Sequence, residues 1–228
     1  MNLLPATMPA IPGYQIAGIN LPSRTVGGDY YDVIPLESQK LAVAIGDVTG
    51  KGVPAAMLMA NLQAALHLLI REEIPLPHIL EKLNTLFYAN TPSDKFVTLF
   101  VGILSLPDRA FTYVNAGHNY PILVEADGTI RELITGGLLV GAFPGATYRS
   151  ETITLQPGSL LFCYTDGITE LTDSTGEEFG EENLYQFVKT HRNEPAEKLI
   201  ARLQEHLLRF SGTDVFDDDV TLLALKVE

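Results

Sequence analysis

The sequence has very little cysteine and a clear deficit of positive charge. Cys163 is the only cysteine among 228 residues, which excludes an intramolecular disulfide and favours a reducing compartment, so we expect a cytoplasmic protein. The thiol lies in an apolar run, which predicts a buried structural cysteine rather than a nucleophile. The 15 Lys and Arg residues face 28 Asp and Glu residues, and the formal net charge is −13. This balance argues against nucleic-acid binding, which depends on clustered Lys and Arg, and against binding to an anionic membrane surface.

Long hydrophobic runs are also missing. No apolar run reaches the ~18 to 20 residues that a membrane-spanning helix needs, and the first residues have neither the basic region nor the apolar segment of a signal peptide. Pro5, Pro9 and Pro12 predict an extended arm over residues 1–13, which we interpret as the remnant of a linker to an upstream regulatory region. The remaining length suits one globular domain, residues 14–228.

Hydrophobic spacing predicts two pairs of helices separated by a block of short strands. The predicted helices are residues 54–73, 77–89, 181–190 and 196–210. The predicted strands are residues 14–20, 96–106, 110–116, 120–125, 129–134, 147–155, 159–164 and 220–227. Consecutive strands with tight turns, followed by helices, indicate antiparallel sheets covered by helices rather than regular βαβ units.

The first predicted helix is apolar on nearly every side. Pro54 fits its first turn and Pro75 follows its end, which predicts a helix of about 20 residues. Because its polar residues are few, we expect more than one face to be buried, with Met57, Met59 and His67 in the core.

Acidic residues recur at the ends of strand-like runs, each beside glycine or another acid. Asp29 follows two glycines, Asp47 follows Gly46, Asp166 precedes Gly167, and a run of three aspartates at residues 217–219 precedes the last strand. Each aspartate alone is compatible with a simple turn. Together, however, such carboxylates repel one another unless a cation neutralises them, and oxygen ligands on tight turns are how hard cations are held. The four sites therefore predict a pair of metal ions.

Five motifs occur in the order of a known family. They are VGGDYYD at residues 26–32, GDVTGKG at 46–52, NAGH at 115–118, YTDGITE at 164–170 and DDVT at 218–221. In this order, and over nearly the whole chain, they resemble the bacterial SpoIIE/RsbU branch of the metal-dependent type 2C serine/threonine phosphatases. Five ordered motifs are far more specific than any one of them.

The resemblance implies a fold and a set of metal ligands. The implied fold is of the α+β class, a four-layer α-β-β-α sandwich of two antiparallel sheets flanked by helix pairs, with a two-metal site at one end. Asp47 would be shared by both ions, the backbone carbonyl of Val48 would add a ligand, and Asp29 would bind one ion. Asp166 and Asp218 correspond to ligands of the other ion.

Three further positions stay open at this stage. Asp219 is an alternative to Asp218, because the aspartate run allows a shift of one residue, and only one neighbour on a strand can point the same way. Asp32 is interpreted as a residue that supports the ligands rather than as a ligand. Arg24 lies where animal relatives have a phosphate-binding arginine, and a guanidinium suits a phosphate dianion through paired donors.

One departure from the animal relatives concerns the leaving group. Those relatives have a histidine immediately after the metal-bound Asp-Gly, and it is thought to assist the leaving group, whereas the equivalent residue here is Thr49. His118 is the only histidine within a motif, and we interpret it as ordering a loop. The general acid is therefore unassigned.

The implied reaction needs no protein nucleophile. Two divalent ions lower the pKa of a bridging water and neutralise phosphoryl charge, so that hydroxide attacks phosphorus in line and the serine or threonine alkoxide leaves. All-oxygen ligation favours Mn²⁺ or Mg²⁺ over zinc, whose sites usually contain His or Cys. We therefore expect a metal-dependent protein serine/threonine phosphatase.

The resemblance also implies a partner, and two other functions compete with it. The usual substrate in the family is a phosphorylated anti-sigma-factor antagonist of the STAS type, in bacterial stress and partner-switching signalling, and an upstream sensor supplies regulation. One alternative is a catalytically silent docking module, which the retention of aspartate at all four ligand positions disfavours. The other is a different two-metal phosphoesterase, and for a nucleic-acid substrate the net charge and the lack of a base-stacking aromatic platform weigh against it.

Overall fold

The computed structural model describes residues 3–23, 25–213 and 216–228, which fall into two compact units. The first unit comprises Met1–Thr7, Val26–His118 and Ile134–Leu155, and the second comprises Met8–Thr25, Asn119–Leu133 and Gln156–Glu228. Residues 3–13, the described part of the predicted arm, contain only turns, bends and irregular backbone. The boundaries of the arm and of the single domain at 14–228 stay predictions.

Within the described residues, the first unit contains six strands and two helices. Its elements are β2 (Tyr30–Leu36), β3 (Lys40–Val48), α1 (Val53–Leu69), α2 (Leu76–Asn90), β4 (Val97–Ser105), β5 (Ala110–Ala116), β8 (Gly136–Gly137) and β9 (Glu151–Thr154), so that the strands number six and the two-residue β8 is the shortest. The sheet order is β2-β3-β4-β5-β8, and β9 also pairs with β5. All these pairs are antiparallel except β5 with β8.

Alternate residues of the central strands of this sheet pack against the two helices. Ala42 and Ala44 of β3 belong to one hydrophobic cluster with Leu62 and Leu66 of α1 and Leu83 of α2. Small side chains on the strand let the helix approach closely, while the period of two sends the intervening residues to the opposite face. That opposite face is buried too, and three rings from neighbouring strands pack together on it, with Tyr113 stacked on both Phe100 and Phe111.

The prediction that several faces of α1 are buried is wrong. Met59 is buried as expected, but Met57 is 65% exposed and Leu68 is 75% exposed. Only the stripe that faces the sheet is covered, because a helix on the surface of a unit buries about a third of its circumference. His67 is not a core residue either, since its side chain remains 35% exposed and bonds to a carboxylate. The helix also ends at Leu69, earlier than predicted, and the buried Ile70 caps it.

The strand predicted over residues 147–155 is shorter in the structure. It forms only over Glu151–Thr154, where it pairs with the first half of β5. The second half of the same β5 edge is taken by β8, which pairs with Asn115 and Ala116. One strand edge thus serves two partners, and residues 147–150 lie beside the two-residue β8, where the Arg149 amide donates to the Gly136 carbonyl oxygen at 3.2 Å without forming a strand.

In its described part, the second unit contains a five-stranded sheet and three helices. Its elements are β1 (Tyr14–Leu21), β6 (Ile122–Val124), β7 (Ile130–Glu132), β10 (Leu160–Tyr164), α3 (Asp166–Thr169), α4 (Gly180–His191), α5 (Ala196–Ser211) and β11 (Val220–Val227). The order is β1-β11-β10-β6-β7, and every pair is antiparallel. Helices α4 and α5 pack on the sheet through Leu184, Val188, Leu199, Leu203 and Leu207. Cys163 of β10 is buried, as predicted, and burial raises the pKa of its thiol.

The predicted fold class is confirmed. The chain is α+β, its described residues form two mostly antiparallel sheets and five helices, and each sheet has a helix pair packed on it. Among the described residues, none of the helices combines the length and the apolar character required to cross a membrane.

Candidate metal centre

Two of the predicted ligands meet at one end of the sheet of the first unit. Strands β2 and β3 pair antiparallel as far as Tyr30 and Gly46. One further residue along this register places Asp29 opposite Asp47, so two carboxylates from neighbouring strands share one edge. Asp29 is buried, and Asp47 is partly buried. Two carboxylates this close ionise together at low cost only when a cation neutralises them, so the arrangement fits a divalent ion.

Glycine at position 28 lets the Asp29 backbone lie against the Asp47 segment. A Cβ atom at Gly28 would lie 2.7 Å from the carbonyl oxygen of Val48 and 3.3 Å from Oδ1 of Asp47. The first distance is shorter than real Cβ atoms tolerate, so the approach requires glycine. Asp47 Oδ1 and the Val48 carbonyl oxygen, both on residues predicted to bind metal, therefore lie close to the backbone at Gly28, next to Asp29. Their chemistry is that of hard-cation ligands.

The segment after Asp47 is fastened to strand β4 by Thr49. The Thr49 amide donates to the carbonyl oxygen of Phe96 at 3.1 Å, its Oγ1 donates to the same oxygen at 3.2 Å, and the Phe96 amide donates to Oγ1 at 3.0 Å. This side chain thus holds the segment in place, and the structure gives it a positioning contact rather than the part played by histidine in the animal relatives.

The Asn-Ala-Gly-His motif closes a small loop at the end of β5. Asn115 Oδ1 accepts from the His118 amide at 2.8 Å, and Asn115 Nδ2 donates to the His118 carbonyl at 3.0 Å. The buried His118 ring bonds through Nδ1 to Thr98 Oγ1 at 2.9 Å. Thr98 pairs with Asp47 across β3 and β4. These contacts support the interpretation that His118 orders a loop beside the Asp47 strand.

Asp32 is surrounded by hydrogen-bond donors from three residues. Its Oδ2 accepts from Tyr30 Oη at 3.0 Å and lies 2.6 Å from His67 Nε2, while Oδ1 accepts from the Val33 amide at 2.8 Å. Burial, and then the Asp32 charge, raise the pKa of Tyr30 well above its usual value. The carboxylate is therefore engaged in holding β2 and α1. No local sequence pattern predicts the contact between Asp32 and His67, since the two residues are 35 positions apart.

In the second unit, Asp166 is fixed by a threonine pair at the end of strands β10 and β11. The Thr165 amide donates to the Thr221 carbonyl at 3.1 Å, and the Thr221 amide donates to Thr165 Oγ1 at 2.9 Å. The next residue, Gly167, allows a close approach, because a Cβ there would lie 2.1 Å from the Asp219 carbonyl oxygen and 3.5 Å from the Asp218 Cβ. The Asp166 turn and the aspartate run are thus in contact, as the metal prediction requires.

Asp218 and Asp219 have different surroundings. Asp219 is buried, and its Oδ1 accepts from both the amide of Ser23 at 2.8 Å and the Ser23 Oγ at 3.0 Å. Asp218 is partly exposed, and its Oδ1 accepts from the Asp219 amide at 2.9 Å. An oxygen that already accepts two hydrogen bonds is a poorer metal ligand, which favours Asp218.

The metal assignments themselves stay predictions. Within the described residues of either unit, no three side chains of aspartate, glutamate, histidine or cysteine are grouped as metal ligands. The structure brings together Asp29 with the Asp47 segment, and Asp166 with Asp218. Arg24, the predicted phosphate-binding residue, lies outside the described residues.

The fold matches solved structures of phosphatase domains. With the RsbU and RsbW domains of Rv1364c from Mycobacterium tuberculosis, the TM-score is 0.85 at 31% identity, covering 100% of this chain and 64% of that one. With the PP2C phosphatase domain and regulatory fragment of SpoIIE from Bacillus subtilis, it is 0.82 at 20% identity, covering 94% and 62%. The class that these likenesses define is the PP2C-like fold.

Sequence comparison identifies the family. The family profile described as Stage II sporulation protein E (SpoIIE) matches residues 37–228, which is most of the chain. The chain therefore belongs to the SpoIIE family, and the resemblance inferred from the five motifs is confirmed.

Two relatives extend the match to nearly the whole chain. Protein IcfG of Synechocystis is 30% identical over 251 aligned residues, covering 98% of this chain and 39% of IcfG. Phosphoserine phosphatase RsbU of Bacillus subtilis is 28% identical, covering 99% of this chain and 67% of RsbU. The chain thus spans well under half the length of one of these relatives and about two thirds of the other.

Proposed function

We propose that this chain is a metal-dependent protein serine/threonine phosphatase that hydrolyses phosphoserine or phosphothreonine. The observation that carries the proposal is the placement of Asp29 opposite Asp47, with the Val48 carbonyl oxygen against the same glycine. The name of the relative RsbU, a phosphoserine phosphatase, supports the same reaction.

The proposed cofactor is a pair of Mn²⁺ or Mg²⁺ ions. Asp29, Asp47, the Val48 carbonyl, Asp166 and Asp218 would hold them, and all of these donors are oxygen atoms, which such ions prefer. When bound, the ions supply charge neutralisation at the phosphoryl group and activate water for attack.

The chain's own residues position this chemistry. Thr49 fastens the Asp47 segment to β4, and Thr165 with Thr221 fixes the turn that carries Asp166. A carboxylate at the end of a paired strand is held more rigidly than one on a free loop. This rigidity matters, because a small displacement of a metal ligand lowers the reaction rate substantially.

For the biological substrate, we propose a phosphorylated STAS-type anti-sigma-factor antagonist in bacterial partner-switching signalling, with an upstream sensor or regulatory domain. The basis is membership of the SpoIIE family together with the relative RsbU. A cytoplasmic site of action accords with the single buried cysteine.

Hydrolysis of p-nitrophenyl phosphate, of a phosphothreonine peptide and of a cyclic nucleotide tests the proposal. Each substrate is assayed with millimolar Mn²⁺, with millimolar Mg²⁺ and without metal, for the wild type and for Asp166→Asn. Mn²⁺-dependent turnover that Asp166→Asn loses is the expected result. Turnover by the wild type and by Asp166→Asn at equal rates would contradict the metal assignment. No turnover with either metal would favour the docking module. Turnover of a cyclic nucleotide but not of the phosphopeptide would favour the other class of phosphoesterase.

A further inference from the structure

A lysine outside the predicted ligand set lies against the segment that follows Asp47. A Cβ atom at Gly50 would come within 3.1 Å of Lys95 Nζ and 3.9 Å of its Cε. Gly50 has a φ of +106°, a backbone conformation that residues with a side chain rarely adopt. Glycine at this position therefore both permits the turn and leaves room for the ammonium group beside it.

The backbone on both sides of Lys95 is fixed. The Lys95 amide donates to the Pro92 carbonyl oxygen at 2.9 Å, and the next residue, Phe96, exchanges hydrogen bonds with Thr49. Strand β4 then continues antiparallel to β3, pairing Val97 with Val48. The backbone of Lys95 is thus held next to the paired strands β3 and β4, and β3 carries the proposed ligands Asp47 and Val48.

The present ion pair of Lys95 does little to explain this placement. Its partner is Asp94 Oδ2 at 3.7 Å, and the Asp94 side chain is 75% exposed, whereas that of Lys95 is only 29% exposed. Exposed pairs at such distances contribute little to stability. A partly buried ammonium group beside a ligand segment is therefore in a position to receive a stronger anion.

A phosphoryl group bound here would be stabilised by such a cation in addition to the proposed metal ions. A substrate phosphate dianion that approaches Asp29 and Asp47 is repelled by them, and each cation near the phosphoryl oxygens offsets part of that repulsion. Helix α1 begins at Val53, has no acidic residue in its first turn, and so adds no negative charge on this side. Lysine is a common phosphate ligand that acts as a point charge.

We propose that Lys95 binds the phosphoryl oxygens of the substrate. This inference rests on the proposed phosphatase function and adds a substrate-binding residue to it. The competing explanation is that Lys95 merely offsets the repulsion between Asp29 and Asp47. The two roles differ in what they control, since the first affects phosphate affinity and the second affects metal affinity.

The test compares Lys95→Met, Lys95→Arg and the wild type with a matched control, Lys40→Met. Lys40 is an exposed lysine at the opposite end of β3 from Asp47, and the two lie seven positions apart along the strand, or roughly 23 Å. Inorganic phosphate binding to the Mg²⁺-loaded proteins is measured by calorimetry. The KM and kcat for p-nitrophenyl phosphate and the Mg²⁺ activation constant are measured in parallel, and circular dichroism checks that each variant is folded.

We expect Lys95→Met to weaken phosphate binding and to raise KM by about 10- to 100-fold, the usual effect of losing one charge-assisted hydrogen bond, with the Mg²⁺ activation constant unchanged. Lys95→Arg should stay within a few-fold of the wild type, and Lys40→Met should match it. Unchanged phosphate affinity in Lys95→Met, or a wild type that does not bind phosphate, would overturn the proposal. A wild type that binds phosphate without turning over p-nitrophenyl phosphate would instead contradict the phosphatase function, and calorimetry would still decide the role of Lys95.

Discussion

His67 Nε2 lies 2.6 Å from Asp32 Oδ2, and this contact joins helix α1 to strand β2. The strand begins directly after Asp29, and the helix begins five residues after Val48. Strands β2 and β3, whose ends carry Asp29 and Asp47, are already paired in the sheet. The contact between the buried Asp32 carboxylate and the partly exposed His67 ring also connects β2 to the helix that follows the Asp47 segment.

Replacing His67 by leucine should destabilise the protein, because the buried Asp32 loses one of its hydrogen-bond partners while its charge stays buried. The expected loss is about 1 to 3 kcal/mol in the free energy of unfolding, measured by urea denaturation. His78→Leu, at an exposed position near the start of α2, is the control and should change the free energy by less than about 0.5 kcal/mol. Equal stability of both variants would show that the contact contributes nothing.

Gly28→Ala should remove the effect of metal on stability. The added Cβ would collide with the Val48 carbonyl oxygen, so the segment must shift away from Asp47, at a cost of about 1 to 3 kcal/mol. The measurement is the melting temperature with and without Mn²⁺. Gly102→Ala is the matched control, since its Cβ would meet the ring of Phe111 instead, and it should lose stability but keep the Mn²⁺-induced rise in melting temperature. A normal Mn²⁺ response in Gly28→Ala would contradict the proposed site.

The choice between Asp218 and Asp219 can be made with two asparagine variants. Asp218→Asn should lose Mn²⁺-dependent turnover, because it removes a proposed ligand charge. Asp219→Asn should keep turnover within about tenfold of the wild type, because an amide oxygen can still accept the two hydrogen bonds from Ser23. The reverse pattern in a p-nitrophenyl phosphate assay would assign the metal to Asp219.

Stability should also depend on pH through Glu194, which joins the end of α4 to α5. The hydrogen bond from His191, and further the contacts with Arg202, lower the pKa of the Glu194 carboxyl, although partial desolvation opposes them. A carboxyl with a lowered folded-state pKa stabilises the protein above its unfolded pKa of about 4.3, and this contribution is lost as the pH falls through the folded-state value. Glu194→Gln should therefore melt below the wild type at about pH 6 and together with it at about pH 2.5. If Glu194→Gln still melts below the wild type at about pH 2.5, the charge of Glu194 does not account for its contribution to stability.

The sequence predicted helices and strands well where the hydrophobic periodicity of a segment is clear. Strand β11 has the predicted bounds, α2 extends one residue beyond its predicted range at each end, and α5 extends one residue beyond its predicted end. All three segments have clear periodicity, and the two helices also lie between proline or glycine residues, so local chemistry determines them. The aspartate motifs were found for the same reason, because an acid beside glycine at a strand end is a local pattern.

Features that depend on distant partners could not be predicted in this way. The exposed side of α1 follows from having only one sheet to pack on, which composition does not encode. Lys95 and Gly50 are brought together by pairing of β3 with β4, and His67 reaches Asp32 from a different element. The sequence contains both residues of each pair, but only strand register in the first case and helix packing in the second bring them side by side.

The position of β11 has a consequence for synthesis on the ribosome. It is the last strand along this sequence, yet it lies between β1 and β10 in the sheet, and Tyr14 pairs with Val227. Until residues 220–227 have left the exit tunnel, β1 and β10 each expose an unpaired edge, and edges of that kind recruit other chains. The sheet of the second unit can therefore close only after translation has passed this strand, and a nascent chain stalled before it would be a substrate for chaperones.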